Sequence, residues 1–160
     1  MPTNIKVDFI SVAFLSFLVS MAIGYINFVY HGDPILRNTI PHLDYIPTLT
    51  DAEEIAEELE KVLLALEPYS GNPELFFPKQ ETDFNYMKSL LRRYIEVARE
   101  VSQLSKDDYE YRQFIHNAHN LAEELKEDLK YAAGAYFYDP LVIGGGIAVV
   151  AILVELFKVH

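Results

Sequence analysis

The chain has 160 residues, 51% of them hydrophobic, and a formal net charge of -11 from 24 acidic against 13 basic side chains. With no cysteine, disulfide frameworks, thiol nucleophiles and Cys-ligated zinc or iron–sulfur centres are excluded. The acidic balance also excludes nucleic acid as the main partner, because that affinity rests on clustered Lys and Arg.

The apolar residues gather at the two ends. Phe9–Tyr30 carries no charged side chain, and as a helix it spans about 33 Å, enough for a hydrocarbon core of about 30 Å. A helix apolar all round and this long has no place in a soluble fold of this size. Lys6 precedes the run and Ser20-Met21-Ala22 resembles a small-x-small cleavage site. The run is too long for a signal core and continues past that site, so it reads as an uncleaved anchor. Tyr25, Phe28 and Tyr30 lie at its end, where amphipathic rings favour a headgroup region.

His31–Leu49 contains Pro34, Pro41 and Pro47 and is expected to be an extended connector. Thr50-x-x-Glu53 then forms a capping box before an acidic first turn. Ile55, Leu59, Val62, Leu63 and Leu66 make the inner face of that helix, and Pro68 ends it. Pro68–Glu81 is a turn-rich loop holding Leu75, Phe76 and Phe77. These are expected to tuck onto the helices; the other reading is a contact with a partner, made by Phe76 and Phe77, or with lipid headgroups.

A second helix is predicted from Thr82 to about Leu104, with Phe84, Met87, Leu91, Tyr94, Ala98 and Val101 at steps of three and four. Ser105–Asp108 is a tight turn and a fresh N-cap. The third helix carries Tyr111, Phe114, Ala118, Leu121, Leu125, Leu129 and Ala132 on its buried stripe. Tyr131, Tyr136, Phe137 and Tyr138 then mirror the aromatic cluster of the first run. Pro140 either opens a second span, Leu141–Phe157, or kinks one continuous helix.

The predicted architecture is all-α: two transmembrane helices flanking a membrane-proximal three-helix antiparallel bundle. Residues 1–30 form the N-terminal tail and first span, 31–49 the connector, 50–139 the soluble acidic bundle, and 140–160 the second span and a short tail. The expected location is the cell membrane, crossed twice. A long middle can be translocated whatever its charge, so both termini are placed in the cytoplasm.

Ser16, Ser20 and Gly24 recur every four residues on one face of the first span, and Gly144, Ala148 and Ala151 make a comparable stripe in the second. Small residues let helices approach closely in lipid, and the two stripes are expected either to pack on each other or to meet another subunit, the second being the reading tested for the first stripe. His116, His119 and Glu123 are the nearest approach to a metal site, since residues three and four apart share a helix face. The second copy that a di-metal bundle needs is missing, so polar surface histidines are expected and no metal or other cofactor. Glu53-Glu54, Glu57-Glu58 and Glu123-Glu124 read as solvated helix faces rather than catalytic pairs. Asn27 and Glu155 lie near span ends, where snorkelling to the interface is expected.

The functional expectation is a non-catalytic accessory or scaffolding subunit of a larger integral membrane complex. Its partners would be other membrane subunits and the lipid bilayer, with a homo-oligomer as a further option. Alternatives are a homo-oligomeric two-span channel or transporter, with Glu155 near the pore mouth, and a membrane-tethered ligand sensor.

Overall fold

A computed structural model describes residues 9–158, and the regular structure among them is entirely helical. Helix α1 (Phe9–Asn27) passes through a π-helical turn at Phe28–Gly32 into α2 (Asp33–Tyr45), which a 3-10 turn at Ile46–Thr48 closes. The extended connector expected over 31–49 is therefore corrected: most of it is helix.

Each proline in this stretch has a position that a helix tolerates. Pro34 occupies the first turn of α2, where a missing N–H is harmless. Just before it the Asp33 N–H reaches back five residues to the Phe28 carbonyl, the widened turn typical of a π insertion. Pro41 lies inside α2 on its exposed side, where water can serve the freed carbonyl. Pro47 sits at the start of the 3-10 turn. What holds the segment helical is its buried stripe, Ile35, Thr39, Leu43 and Ile46. Thr39 is accommodated because its hydroxyl donates to the Ile35 carbonyl one turn back, at 2.7 Å.

Helix α3 (Ala52–Leu66) is capped by Asp51, whose carboxylate accepts the Glu53 N–H, and α4 (Phe84–Val101) by Asp83, which accepts from Asn85 and Tyr86. The first cap falls one residue after the predicted Thr50, and α4 begins two residues after the predicted start at Thr82. Helix α5 runs from Tyr109 to Lys158, 50 residues with Pro140 inside. Of the two readings of Pro140, the continuous helix is the one realised; the ring removes only the bond to the Tyr136 carbonyl.

The core is built from α2, α3, α4 and the first half of α5. Ile55, Leu59, Val62 and Leu66 meet Phe84, Met87, Leu91 and Ile95, and Leu121, Leu125 and Leu129 complete it. Arg92 pairs with Glu67 and Arg99 with Glu60 across α3 and α4, which therefore run antiparallel. Tyr111 ties the start of α5 to α3 by donating its hydroxyl to the Thr50 carbonyl and accepting the Ala52 N–H.

The remaining halves of α1 and α5 behave differently. Two helical stretches, within Ile10–Thr48 and Tyr109–Val154, are long and apolar enough to cross a membrane. Their large side chains point outward: Ile10, Phe14, Leu15, Leu18, Val142, Val149 and Val150 are all exposed. A core helix of a soluble protein would have buried them.

Candidate functional site

The apolar halves of α1 and α5 pack against each other in antiparallel order. A β-carbon added to Gly24 would stand 2.5 Å from the Phe137 carbonyl oxygen, and one on Gly32 would stand 2.7 Å from that of Ala133. A β-carbon on Gly144 would collide with Ser20 and stand 3.2 Å from the Ser16 carbonyl oxygen. The Ser16 hydroxyl donates to the Gly144 carbonyl at 3.3 Å. Ala151 is buried and Ala148 half-buried on the same face of α5.

Ser16, Ser20, Gly24 and Gly144 thus lie in the contact between the chain's own two long helices. Of the two readings of the Ser16–Gly24 face, packing between the chain's own helices is the one seen here. Small residues give the backbones the proximity they need, but their spacing does not say which helix lies opposite. Buried Ala13 extends the face toward the N-terminus and Gly32 extends it the other way; both were missed, although each continues the small-residue series. Gly145 and Gly146 point away from this contact, with nothing within 4 Å of a β-carbon on either. The side chain of Glu155 lies outside the described residues.

Along the Gly24–Phe137 to Gly32–Ala133 part of this contact the molecule changes character. Tyr25, Tyr30, Tyr131 and Tyr138 are exposed, and His31 stacks on Tyr136 with ring centroids 5.2 Å apart. The loop between α3 and α4 reaches this part of the molecule. Gly71 makes its first bend with φ +68, and the Gly71 carbonyl accepts the Phe84 N–H at 3.0 Å. Asn72 donates to the Lys79 carbonyl and accepts the Glu74 N–H. Buried Thr82 donates to the buried Glu74 carboxylate at 2.9 Å, and Lys88 donates to the Tyr69 carbonyl at 2.7 Å. The loop is closed by its own hydrogen bonds rather than by a hydrophobic interior.

Its apolar tip is left outside. Leu75 is 70% and Phe77 79% exposed, and Phe76 is also exposed, so the expectation that they tuck onto the helices is corrected. The tip is tied to α5 by the Leu75 N–H, which donates to the Asp139 carboxylate at 2.8 Å. A recess of about 530 Å³ opens between loop and helix, lined by Phe76, Phe77, Tyr131, Tyr138 and Val142. A second, of about 460 Å³, brings Pro73 and Leu75 beside Ser20, Ile23 and Ile143. The carboxylates at these recesses are already engaged: Glu127 with Lys130, Glu74 with Thr82, Asp139 with the loop. The walls of the recesses are mainly apolar and aromatic.

The other sequence candidates are dispersed. His119 donates from Nε2 to the Leu49 carbonyl at 2.9 Å, Glu123 pairs with Lys126, and His116 lies 3.3 Å from Asn120. Among the described residues no group of three His, Asp or Glu side chains is placed to hold a metal ion. Glu58 is the one carboxylate of the expected solvated pairs that is buried; it is held by His42 Nδ1 and Lys61 Nζ, each at 2.6 Å. Burial pushes its carboxyl up, but the hydrogen bonds from Lys61 and His42 outweigh that and leave it below the ordinary glutamate value. Comparison with protein-family models, curated proteins and solved structures finds no match.

Proposed function

We propose that this chain is a two-pass integral membrane protein, with α1 and the end of α5 as its spans, serving as a non-catalytic accessory or scaffolding subunit of a larger membrane complex. The part outside the lipid is a small acidic helical bundle of α3, α4 and the first half of α5, braced by α2. The observation that carries the membrane reading is the outward apolar surface of both long helices, which water does not tolerate over such an area. The subunit reading is supported by the uncovered backbone at Gly145 and Gly146. The α1 face is used within the chain, which leaves these glycines as the place where another helix can approach closely. The carboxylates lining the recesses are spent on bonds within the chain and His31 is stacked on Tyr136, which is what a structural part requires.

Native mass spectrometry of the chain extracted gently from its own membrane tests this. Different membrane proteins bound in fixed ratio are the expected result. A closed ring of identical chains would replace it with the channel reading, and a bare monomer would remove the subunit reading altogether.

A further inference from the structure

We propose that the loop Tyr69–Asp83 is a membrane-interface anchor, with Leu75, Phe76 and Phe77 seated at the boundary between lipid headgroups and acyl chains. The proposal rests on the two-span reading given above and adds a third point of attachment to it. Three adjacent large apolar side chains on an exposed loop tip are costly in water and need cover. The loop is not free to fold them inward, because the Asn72, Glu74 and Thr82 network and the Gly71–Phe84 bond fix its path.

Its position identifies what covers the tip. Leu75 is bonded to Asp139, the residue before Pro140, and Pro73 and Leu75 share a recess with Ile23 and Ile143, which belong to the apolar halves of α1 and α5. Phe76 and Phe77 border Tyr138 and Val142. The tip is therefore continuous with the surface the spans present to lipid, at the level of the exposed Tyr25 and Tyr138. Lys79 lies over the Tyr131 ring, its Nζ 4.3 Å from the centroid. A cation beside aromatic rings just above apolar side chains is the composition an interface selects. The acidic surface of the rest of the domain would be repelled by anionic headgroups, so a short apolar wedge in a zwitterionic interface fits this chain better than a basic patch.

The chain contains no tryptophan, so single-tryptophan variants of the full protein report their own surroundings. Phe77→Trp, Leu18→Trp at mid-span and Leu64→Trp on the exposed side of α3 are reconstituted singly into phosphatidylcholine vesicles. The lipid is brominated near the headgroup end or near the methyl end of its acyl chains, and acrylamide serves as the aqueous quencher. Phe77→Trp should lose emission chiefly to the shallow bromines and emit to the blue of Leu64→Trp, while Leu18→Trp loses emission chiefly to the deep ones. If Leu18→Trp responds to bromine but Phe77→Trp is as open to acrylamide as Leu64→Trp, the loop faces water and the anchor is overturned with the spans intact. If Phe77→Trp resists both bromine and acrylamide, protein covers it and the anchor is overturned in favour of a chain–chain contact. If Leu18→Trp itself ignores bromine, the two-span reading falls and the anchor falls with it.

Discussion

Gly24 lies against the main chain of Phe137, so close that a β-carbon would come within 2.5 Å of the Phe137 carbonyl oxygen. Backbone cannot yield as a flexible side chain can, so this contact, together with those at Gly32 and Gly144, sets how near α1 and α5 approach. It also sets the register that brings Ser20 opposite Gly144, His31 onto Tyr136 and Asp139 beside the loop. The geometry at the loop is thus inherited from the helix pair.

The helix contact makes opposite predictions for neighbouring glycines. Gly24→Ala should destabilise the helix pair by about 1–3 kcal/mol, the usual cost of overpacking. Gly144→Ala should do likewise, and Ser20→Gly on the same chain should restore part of the loss, because the colliding atoms belong to Ser20. Gly146→Ala, which meets nothing within 4 Å, should be neutral or stabilising by up to about 1 kcal/mol through helix propensity alone. Unfolding in graded sodium dodecyl sulfate, followed by circular dichroism, gives the four values. Equal effects at Gly24 and Gly146 would contradict the packing described.

Glu58 should make stability sensitive to acid. Its folded carboxyl titrates below the ordinary value of 4.5 because Lys61 and His42 hold the charged form. The contribution is therefore complete above that value and is lost as pH falls below 4.5 through the lowered folded value. Asp51, held down by Lys106, acts with the same sign below 3.8. Glu58→Gln should lower stability at neutral pH by about 1 kcal/mol, since both partners can be partly resolvated. It should also flatten the acid limb of a thermal-stability profile taken between neutral pH and the acid transition. An unchanged limb would mean that the pair does not form in solution.

The link between loop and helix is tested at Asp139. Asp139→Ala removes the acceptor of the Leu75 N–H, whereas Asp139→Asn keeps a carbonyl oxygen there. The first should speed hydrogen exchange at the Leu75 amide about fivefold, matching about 1 kcal/mol for one bond. The second should change it less. Exchange measured by mass spectrometry over Tyr69–Asp83 resolves the two; identical rates in both variants and wild type would show that the loop stands without α5.

Much of this arrangement is legible from residue spacing alone, wherever the buried stripe is uninterrupted and apolar. Tyr111, Phe114, Ala118, Leu121, Leu125, Leu129 and Ala132 all sit in the core, as their period requires. Helix α2 was hidden because Thr39 breaks its stripe and three prolines look like breaks, although each occupies a tolerated position. The cap of α3 moved by one residue because Thr50-Asp51 offers two adjacent capping side chains and the aspartate is used, as Asp83 is at α4. The small-residue face carried a packing signal without naming its partner, and Glu58 read as solvated because its place between α2 and α3 depends on a helix the prolines concealed. Long-range contacts such as Leu75 to Asp139 have no local signature at all.

The outward face of α1 offers the most direct test of what surrounds it. Leu18 is exposed and lies away from the contact with α5, so replacing it by arginine disturbs no helix packing and reports only on the medium outside. In lipid, Leu18→Arg at mid-span should cost about 2.5–3.5 kcal/mol of insertion free energy. A marginal helix would then leave the membrane, and carbonate extraction should release more of the variant than of wild type. Leu64→Arg is the control, because Leu64 is also exposed but sits on α3, where a surface charge changes stability by no more than about 0.5 kcal/mol. The two variants add the same charge at exposed positions, so a difference between them measures the surroundings rather than the substitution. If Leu18→Arg stays in the membrane fraction as firmly as Leu64→Arg, the face is covered by something other than acyl chains. A neighbouring polar helix or a water-filled passage would then have to lie against Leu18, and the homo-oligomeric channel would become the better reading of the chain.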